Sequence, residues 1–220
     1  MPGVPLLLVD LDNTLIDRAG AFARWAGEFA AARDGTAADV RWLVAADRDG
    51  LESRERLAAM ISERFGLDDW SEAALAAELR SGLVRHLTPD DAVTRALRDA
   101  RVAGWLPFVV TNGTVQQQER KLRHTGLDRE VTGWVISEGA GSRKPDPAIF
   151  RLAAERAGQS LDGAWMIGDS PEADIGGARN TGLPSVWLHH GRPWPLTAFK
   201  PDHVADSFPS AVSIVLGALG

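Results

Sequence analysis

Two aspartates, Asp10 and Asp12, directly follow a run of four apolar residues early in the chain. This run, Leu6 to Val9, predicts a short strand that is buried on both faces and ends where the carboxylates begin. In an open parallel α/β sheet, ligands bind in the crevice beyond the carboxyl ends of the strands. Acids at that place indicate function, but Asp and Asn are also common turn residues, and this fragment alone leaves both interpretations open.

Two further apolar runs also end in polar residues. Residues 106–110 and 164–167 are these runs, and the polar residues after them are Thr111, Asn112 and Gly113 in the first case and Asp169 in the second. The carboxyl ends of parallel strands lie on one side of a sheet, so the three clusters are expected to converge. This convergence argues against interpreting any one of them as a simple turn.

Carboxylates grouped with a lysine and small polar side chains are suited to the hydrolysis of a phosphate monoester. Two or three carboxylates can share one Mg²⁺, a hard cation that prefers oxygen ligands and often binds through carboxylates, water and substrate phosphate. A lysine and small donors then neutralise the remaining phosphoryl oxygens, because phosphoryl transfer depends mainly on positioning and charge stabilisation. Lys144, Thr111 and Asn112 supply these groups.

The two acids of the first cluster suit different tasks. Asp10 as nucleophile would divide the hydrolysis into formation and breakdown of an aspartyl-phosphate. Asp12 could protonate the leaving alkoxide and later deprotonate water, provided that the backbone bends away from strand geometry just after Asp10. The sequence therefore predicts a bend in the chain between these two residues.

The elements that position these residues alternate between strands and helices. Alternation across residues 4–15 and 88–220 predicts βαβ units, a parallel sheet and helices on both of its faces. Thr88 and Pro89 suit the N-cap and the first position of the helix that opens the second of these segments. A single helix is expected over residues 171–180, and it carries Asp174.

Residues 18–86 contain helical patterns and no strand pattern. Apolar side chains recur there at helical spacing in four stripes, which are Phe22, Trp25 and Phe29; Val40, Leu43 and Val44; Leu57, Met60, Ile61 and Phe65; and Leu75, Leu79 and Leu83. We therefore predict an α/β fold. A Rossmann-like parallel-sheet core domain, residues 1–17 and 87–220, carries an inserted all-helical domain, residues 18–86.

The composition is that of an ordinary globular chain and excludes several kinds of chemistry. A formal charge of -6 and a pI near 5.4 argue against nucleic acid or an anionic membrane as the main partner. The chain has no cysteine, which excludes disulfides, thiolate zinc sites and a cysteine nucleophile. The first residues lack a signal-peptide pattern, and no apolar run approaches the roughly 18 residues of a membrane span, so we expect a cytoplasmic protein.

The order and spacing of the polar clusters resemble the haloacid dehalogenase-like (HAD) hydrolase superfamily. Its four motifs are matched in order by Asp10-Leu11-Asp12-Asn13-Thr14, by Thr111-Asn112-Gly113, by Lys144 in Arg143-Lys144-Pro145-Asp146-Pro147, and by Gly168-Asp169 followed by Asp174. The helical insertion between the first and second motifs resembles the type 1 cap of that superfamily. The resemblance covers nearly the whole chain.

The resemblance implies a role for each matched residue. Asp10 would be the nucleophile and a Mg²⁺ ligand, and Asp12 the general acid/base with its backbone carbonyl on the metal. Asp169 would be a metal ligand, while Asp174 would either support the metal site or cap its own helix. The groups that would hold the phosphoryl group are Thr111, Asn112, Gly113 and Lys144.

The function implied by this resemblance is that of a Mg²⁺-dependent phosphatase acting on a small phosphorylated metabolite. Three relatives on the same scaffold stay open. These are a dehalogenase, whose family pattern lacks the second aspartate, and a phosphonatase or a phosphomutase, which need particular cap residues. Outside the enzymes, the alternative is a catalytically weak phosphate-binding protein. The sequence identifies neither the substrate nor the oligomeric state.

Overall fold

The structure is a computed structural model that describes residues 4–67 and 70–218. The chain forms two compact units, one of Met1–Ile16 and Pro89–Gly220 and the other of Asp17–Thr88. We call the first the core unit and the second the helical unit. None of the helices in the described residues is long and apolar enough to cross a membrane.

The core unit is built on a six-stranded parallel sheet in the order β3-β2-β1-β4-β5-β6. The strands are β1 Leu6–Val9, β2 Leu106–Thr111, β3 Gly133–Ile136, β4 Trp165–Gly168, β5 Ser185–Leu188 and β6 His203–Ala205. The strand order reverses between β1 and β4, and such a switch point is where open α/β sheets bind ligands. The predicted α/β fold with a Rossmann-like parallel sheet is confirmed.

Helices account for most of the remaining described chain. In the helical unit they are α1 Arg18–Ala31, α2 Ala37–Asp47, α3 Arg54–Phe65 and α4 Glu72–Arg85. In the core unit they are α5 Asp91–Val102, α6 Val115–Thr125, α7 Ser137–Ala140, α8 Pro147–Ala157, α9 Gly176–Thr181 and α10 Phe208–Gly217. The described part of residues 18–86 is helical and contains no strand, as the apolar stripes predicted.

The central strand of the sheet is apolar because both of its faces are covered. All four residues of β1 are buried, as expected for a parallel strand between two layers of helices. Leu6 and Leu8 belong to a cluster with Phe108 of β2 and with Ile149 and Phe150 of α8. This close packing makes the strands rigid, so the polar residues that follow the strand ends have fixed positions.

The helix that opens the second segment of the core unit begins later than predicted. Asp90, and not Thr88, is the N-cap of α5, because its carboxylate accepts hydrogen bonds from the backbone N–H groups of Ala92 at 2.7 Å and Val93 at 3.4 Å. Pro89 consequently precedes the helix instead of opening it. An aspartate satisfies the free N–H groups of a first turn as well as threonine does, and here it lies closer to the apolar stripe of α5.

The predicted single helix over residues 171–180 is divided into two parts. Pro171–Ile175 forms a π-helical turn, in which the N–H of Ile175 reaches the carbonyl of Ser170 at 3.3 Å, and α9 follows directly. The N–H of Ser170 also donates to the Asp174 carboxylate at 2.9 Å. Wide turns of this kind occur frequently at functional sites, and this one carries a buried acid.

The helical unit has an aromatic interior. The rings of Phe22, Trp25 and Phe29 follow one another along α1 with centroid separations of 5.3 and 4.9 Å, and Phe65 of α3 meets Phe29 edge-on. The first, third and fourth predicted stripes lie on inward faces, with most of their residues buried. The aromatic stripe is therefore part of a packed core.

The stripe predicted for α2 is only partly correct. Leu43 is fully buried, but Val40 is half-buried and Val44 is 41% exposed. Asp47 occupies the buried position one turn after Leu43, where it accepts hydrogen bonds from the guanidinium groups of Arg18 and Arg54. Burial by itself raises the pKa of Asp47, but these two arginines outweigh it and lower that pKa below its usual value. An ion cluster thus replaces the expected apolar contact.

Two glycines in the helical unit provide a matched test of its packing. A Cβ atom at Gly82 in α4 would lie 2.2 Å from Cδ1 of Trp25, whereas a Cβ at Gly27 in α1 would meet nothing within 4 Å. We expect Gly82→Ala to lower the free energy of unfolding by about 1–3 kcal/mol through overpacking. Gly27→Ala is expected to raise it by about 0.5–1 kcal/mol, because alanine has less backbone entropy to lose. Urea unfolding of both variants measures the difference, and equal effects would contradict the close approach at Gly82.

Candidate active site

Three carboxylates converge beyond the carboxyl ends of β1 and β4. Asp10, Asp169 and Asp174 each place an oxygen within 4.8 Å of the others. Asp10 directly follows β1, and its N–H donates to the carbonyl of Ile167 in β4 at 3.0 Å, so the acid is anchored at the switch point of the sheet. The sequence predicted this convergence for Asp10 and Asp169, with Asp174 in support.

Lys144 joins two of these acids from a different part of the chain. Its buried ammonium donates to Asp10 Oδ1 at 2.6 Å, to Asp174 Oδ1 at 2.7 Å and to the carbonyl of Val110 at 2.6 Å. The Asn112 side chain holds the backbone of Lys144 by accepting from its N–H at 2.9 Å and donating to its carbonyl at 3.1 Å. The lysine is therefore fixed at both ends, with all three ammonium donors satisfied.

The electrostatics of this cluster follow from burial and like charge. Burial, together with the charges of Asp174 and Asp12, raises the pKa of Asp10 to about 7, although Lys144 opposes the shift. Burial and the charges of Asp174 and Asp10 raise the pKa of Asp169 to about 8, against the opposing influence of Arg192. Burial alone would lower the pKa of Lys144. The negative charges of Asp10 and Asp174 and their hydrogen bonds to the ammonium have the larger effect and raise that pKa.

The chain bends directly after Asp10, as predicted. The carbonyl of Leu11 accepts from the N–H groups of Thr14, Leu15 and Ile16, and Asn13 adopts the left-handed conformation with φ 57°. This compact turn carries Asp12 away from the strand axis. It follows that Asp10 and Asp12, although two residues apart, occupy different surroundings.

The carboxylate of Asp12 is held by α6. Lys121 Nζ donates to both of its oxygens at 2.7 Å, and Gln118 Nε2 donates to Oδ2 at 3.1 Å. Gln118 Nε2 also donates to the hydroxyl oxygen of Thr111 at 2.6 Å. Asp12 and Thr111, which the sequence assigned to different roles, thus share one amide as a partner.

The loop after β2 is completed by contacts between main chain and side chains. The N–H of Gly113 donates to the hydroxyl of Ser137 at 2.9 Å, and the Ser137 hydroxyl donates back to the Gly113 carbonyl at 3.2 Å. Together with the two hydrogen bonds of Asn112, these contacts fix the loop. Both polar atoms of the Asn112 side chain bond to Lys144, so a direct contact of that side chain with phosphate stays a prediction.

Arg192 approaches the site from the loop after β5. One of its nitrogens, Nη2, donates to Asp169 Oδ2 at 3.1 Å and to the Asp169 carbonyl at 2.9 Å. The indole N–H of Trp187 in β5 donates to the same carbonyl at 2.9 Å. Asp169 is therefore held at its carboxylate by Arg192 and at its carbonyl by Arg192 and Trp187.

Gly168 permits the close approach of β4 and the π-helical turn. A Cβ at Gly168 would lie 2.2 Å from Asp174 Oδ2, a distance that no side chain could occupy without displacing the acid. Asp174 is fully buried, with Oδ1 on Lys144 and Oδ2 on the N–H of Ser170. One oxygen of Asp174 thus contacts Lys144 of the cluster and the other accepts from the residue that precedes its own helical turn, while its support of a metal site stays a prediction.

Gln118, Lys121 and Arg192 belong to this arrangement and were not identified from the sequence. Gln118 and Lys121 lie in a helix made largely of polar and charged residues, so their types alone indicate solvent contact. One signal could have identified Lys121. The chain has only three lysines among its 24 lysines and arginines, and two of the three, Lys121 and Lys144, are buried at this site while Lys200 is exposed.

The donor set fits a hard divalent cation. Asp10, Asp169 and Asp174 offer carboxylate oxygens within 4.8 Å of one another, and oxygen is the ligand type that Mg²⁺ prefers. Burial, together with the charges of neighbouring carboxylates, raises the pKa of Asp10 and Asp169, and a bound cation would favour their ionised forms. These residues could therefore hold Mg²⁺, with the carboxylates of Asp10 and Asp169 as its ligands.

Comparison with known proteins agrees with this architecture. The family model described as haloacid dehalogenase-like hydrolase matches residues 4–182, which is most of the chain. The chain therefore belongs to the haloacid dehalogenase-like hydrolase family. The resemblance seen in the four sequence motifs is thereby confirmed at the level of the family and its hydrolase class.

Several curated relatives are phosphatases. The chain is 38% identical over 95 residues to phosphoserine phosphatase of Thermus thermophilus, which is 43% of this chain and 38% of that protein. It is 33% identical over 149 residues to glyceraldehyde 3-phosphate phosphatase of Methanopyrus kandleri, 67% of this chain and 64% of that protein. The matches thus span less than two thirds of the length of these relatives.

Solved structures show the same fold over nearly the whole chain. The HAD-hydrolase YfnB of Bacillus subtilis, solved with bound magnesium, superposes with a TM-score of 0.76 at 22% identity, covering 96% of this chain and 98% of that one. L-2-haloacid dehalogenase of Xanthobacter autotrophicus gives a TM-score of 0.77 at 17% identity, covering 98% and 99%. At these identities the likeness shows the fold alone, and it does not separate phosphatases from dehalogenases.

Proposed function

We propose that this protein is a Mg²⁺-dependent phosphatase that hydrolyses a small phosphorylated metabolite through an aspartyl-phosphate intermediate. The observation that carries the proposal is that two neighbouring aspartates lie in different surroundings. Asp10 lies in the buried cluster with Lys144 and Asp174, while Asp12 is held apart by Lys121 and Gln118. A nucleophile next to cationic partners and a separate acid/base are the two groups that a double displacement at phosphorus requires.

In the first half of the reaction, an oxygen of the Asp10 carboxylate attacks the phosphorus atom. The bond from phosphorus to the ester oxygen breaks, and the departing alkoxide takes the proton carried by Asp12. In the second half, the Asp12 carboxylate removes a proton from water while that water attacks the phosphorus of the aspartyl-phosphate. The bond to Asp10 then breaks, which releases inorganic phosphate and restores both aspartates.

The remaining residues stabilise charge on the phosphoryl group. Lys144 holds the Asp10 carboxylate in place and supplies a positive charge beside it, and the hydroxyl of Thr111 would donate to a phosphoryl oxygen. The backbone N–H of Asn112 completes the proposed phosphate-binding set. In this geometry the N–H of Gly113 donates to Ser137, so its contact with phosphate would require that hydrogen bond to be exchanged. When bound, Mg²⁺ supplies charge neutralisation between the anionic nucleophile and the anionic substrate.

The relatives support the proposed substrate class and leave the substrate itself open. Their names include a phosphoserine phosphatase, a glyceraldehyde 3-phosphate phosphatase and the pyrimidine 5′-nucleotidase YjjG of Escherichia coli, all of which act on small phosphate esters. We propose that the helical domain, residues 18–86, is a cap that selects the leaving group of the ester. A cytoplasmic location is proposed from the sequence alone.

Among the alternatives, a dehalogenase shares the fold and an aspartate nucleophile. Asp12 favours the phosphatase, because the dehalogenase pattern lacks a second aspartate and here the second aspartate has its own set of hydrogen-bond donors. Phosphonatase, phosphomutase and weak phosphate-binding proteins share the same core residues. Release of inorganic phosphate from a simple ester, with repeated turnover and no phosphorylated acceptor, distinguishes the phosphatase from all of them.

Metal dependence is the direct test of the proposal. We expect the protein to hydrolyse 4-nitrophenyl phosphate with Mg²⁺ present, and we expect EDTA to lower the rate by about 10²-fold or more, since the charge of a metal is worth several kcal/mol at a phosphoryl transition state. Addition of excess Mg²⁺ should restore the rate. An undiminished rate in EDTA would contradict the metal-dependent mechanism, and tight phosphate binding without turnover would favour the binding protein.

A further inference from the structure

Two buried side chains of α6 contact the proposed acid/base although none of the roles assigned above uses them. Lys121 and Gln118 are 7% and 1% exposed, whereas Arg120 and Arg123 on the same helix are exposed. Residues three apart lie on one helix face, so α6 presents this pair together to Asp12. A buried ammonium is costly unless it is paired, and the carboxylate of Asp12 is a partner that Lys121 contacts.

The choice of lysine at this position is informative. Lysine is rare in this chain. Of its 24 lysines and arginines only three are lysines, which are Lys121, Lys144 and Lys200. An ammonium is a compact charge with donors in several directions, and Lys121 uses it to reach both oxygens of Asp12 at 2.7 Å. The carboxylate is thereby restrained from rotating about its last bond, while Gln118 adds a third donor on one of the two oxygens.

Gln118 links this carboxylate to the phosphate-binding hydroxyl. An amide nitrogen has two hydrogens, and Nε2 of Gln118 directs them at Thr111 Oγ1 at 2.6 Å and Asp12 Oδ2 at 3.1 Å. Because the Thr111 hydroxyl accepts a hydrogen bond from Gln118, its own hydrogen stays available for a phosphoryl oxygen. The same amide therefore sets the orientation of Asp12 and the donor direction of Thr111.

From this geometry we infer that Lys121 and Gln118 are positioning residues, which hold the carboxylate of Asp12 in line with the departing ester oxygen. The inference rests on the proposed function and adds two residues to it. Neither side chain touches the reacting atoms in this assignment, since Lys121 acts through Asp12 and Gln118 acts through Asp12 and Thr111. Their removal should therefore weaken proton transfer to the leaving group more than it weakens binding or attack by Asp10.

The dependence of kcat/KM on the leaving group of the ester measures how much proton transfer from Asp12 is weakened. 4-Nitrophenolate departs without much help from an acid, whereas phenolate needs a proton, so a misplaced Asp12 penalises phenyl phosphate more. With Mg²⁺ present, we expect Lys121→Met to lower kcat/KM by less than about tenfold for 4-nitrophenyl phosphate and by about 10²-fold or more for phenyl phosphate. Gln118→Met should show the same pattern to a smaller degree.

Two matched variants control for the change of side chain. Lys200→Met replaces the exposed third lysine, and Gln116→Met replaces an exposed glutamine of the same helix. Both should leave kcat/KM for the two esters, and their ratio, at the wild-type value. Should Lys121→Met not fold, as judged by the loss of a cooperative unfolding transition, Gln118→Met retains the buried charge pair and provides the same readout.

A double-mutant cycle shows whether the two residues act through Asp12. In the Asp12→Asn background, adding Lys121→Met should change kcat/KM for 4-nitrophenyl phosphate by less than about twofold, because the group that it positions is already gone. Gln118→Met should there keep only the part of its effect that acts through Thr111, and this part should be equal for the two esters. Wild-type turnover of both esters establishes the phosphatase independently of the variants. An equal loss for both esters, or full additivity with Asp12→Asn, would overturn the positioning role alone.

Discussion

The Asp10→Asn variant is expected to lose turnover of 4-nitrophenyl phosphate by on the order of 10⁴-fold or more, because the amide cannot form the aspartyl-phosphate. Asn is close to Asp in shape, so the hydrogen bond from the Asp10 N–H to the carbonyl of Ile167 should persist. The loss should appear in the chemical step and not in folding. Rapid-quench measurements with Mg²⁺ present should show no burst of 4-nitrophenol and no phosphorylated protein.

The stability of this variant separates chemistry from structure. Burial raises the pKa of Asp10 to about 7, so above that pH its ionised form adds repulsion to a cluster that already holds Asp169 and Asp174. An uncharged amide removes this repulsion but also removes one partner of Lys144, and we expect these opposing effects to leave the variant folded. Asp99→Asn, at an exposed position of α5, is the matched control and should behave like the wild type. Substantial turnover by a folded Asp10→Asn variant would sink the covalent mechanism.

The parts of this site that were predicted from sequence share one property. Asp10, Thr111 and Asp169 each follow an apolar run, so their positions depend on local strand patterns and on the rule that parallel strands end on one side. Lys144 lies in no such pattern. It was identified through its resemblance to a family motif, and the structure brings its ammonium to 2.6 Å from Asp10, which is 134 residues away in the chain.

The residues that were missed depend on contacts between distant segments. Lys121 and Asp12 are separated by 109 residues, and only the packing of α6 beside the sheet brings them to 2.7 Å. Apolar periodicity indicates which face of a helix is buried but not which polar side chain on that face meets a charge. Arg192 lies in a loop without a repeating pattern, so nothing in its surroundings predicted its contact with Asp169.

Elements with competing local signals were predicted least accurately. Thr88 and Asp90 are both acceptable N-caps, and the structure starts α5 from Asp90. On α2, helical spacing grouped Val44 with Leu43, whereas the buried position after Leu43 belongs to Asp47 and its two arginines. In both cases the position is occupied by an aspartate whose carboxylate accepts several hydrogen bonds. The spacing of apolar residues gives no information about such hydrogen bonds.

Lys144→Met should have the largest effect on stability of any single change at the site. Methionine removes a buried ammonium and leaves Asp10 and Asp174 without the cation that lies at 2.6 and 2.7 Å from them. Breaking a buried pair by removing one partner typically costs about 3–5 kcal/mol, and we expect a loss of that size in EDTA near pH 9. Urea unfolding measures it, and Lys200→Met, which removes an exposed lysine, should show almost none.

The pH dependence of this loss follows from the direction of the shifts. Burial raises the pKa of Asp10 to about 7 and that of Asp169 to about 8 in the folded state, so both take up protons there before they do in the unfolded chain. Stability without metal should therefore rise as the pH falls through this range, until the unfolded chain also takes up protons near about pH 4.

Removal of Lys144 takes away an influence that lowers the pKa of Asp10, so in the variant Asp10 becomes neutral at a higher pH. A neutral Asp10 no longer needs a cation, and the deficit of Lys144→Met should be smaller near about pH 6 than near about pH 9. Mg²⁺ at the higher pH should reduce the deficit in the same way, by supplying charge to the same carboxylates. An equal deficit at both pH values, unaffected by Mg²⁺, would mean that Lys144 stabilises the fold by packing and not through the charges of this cluster.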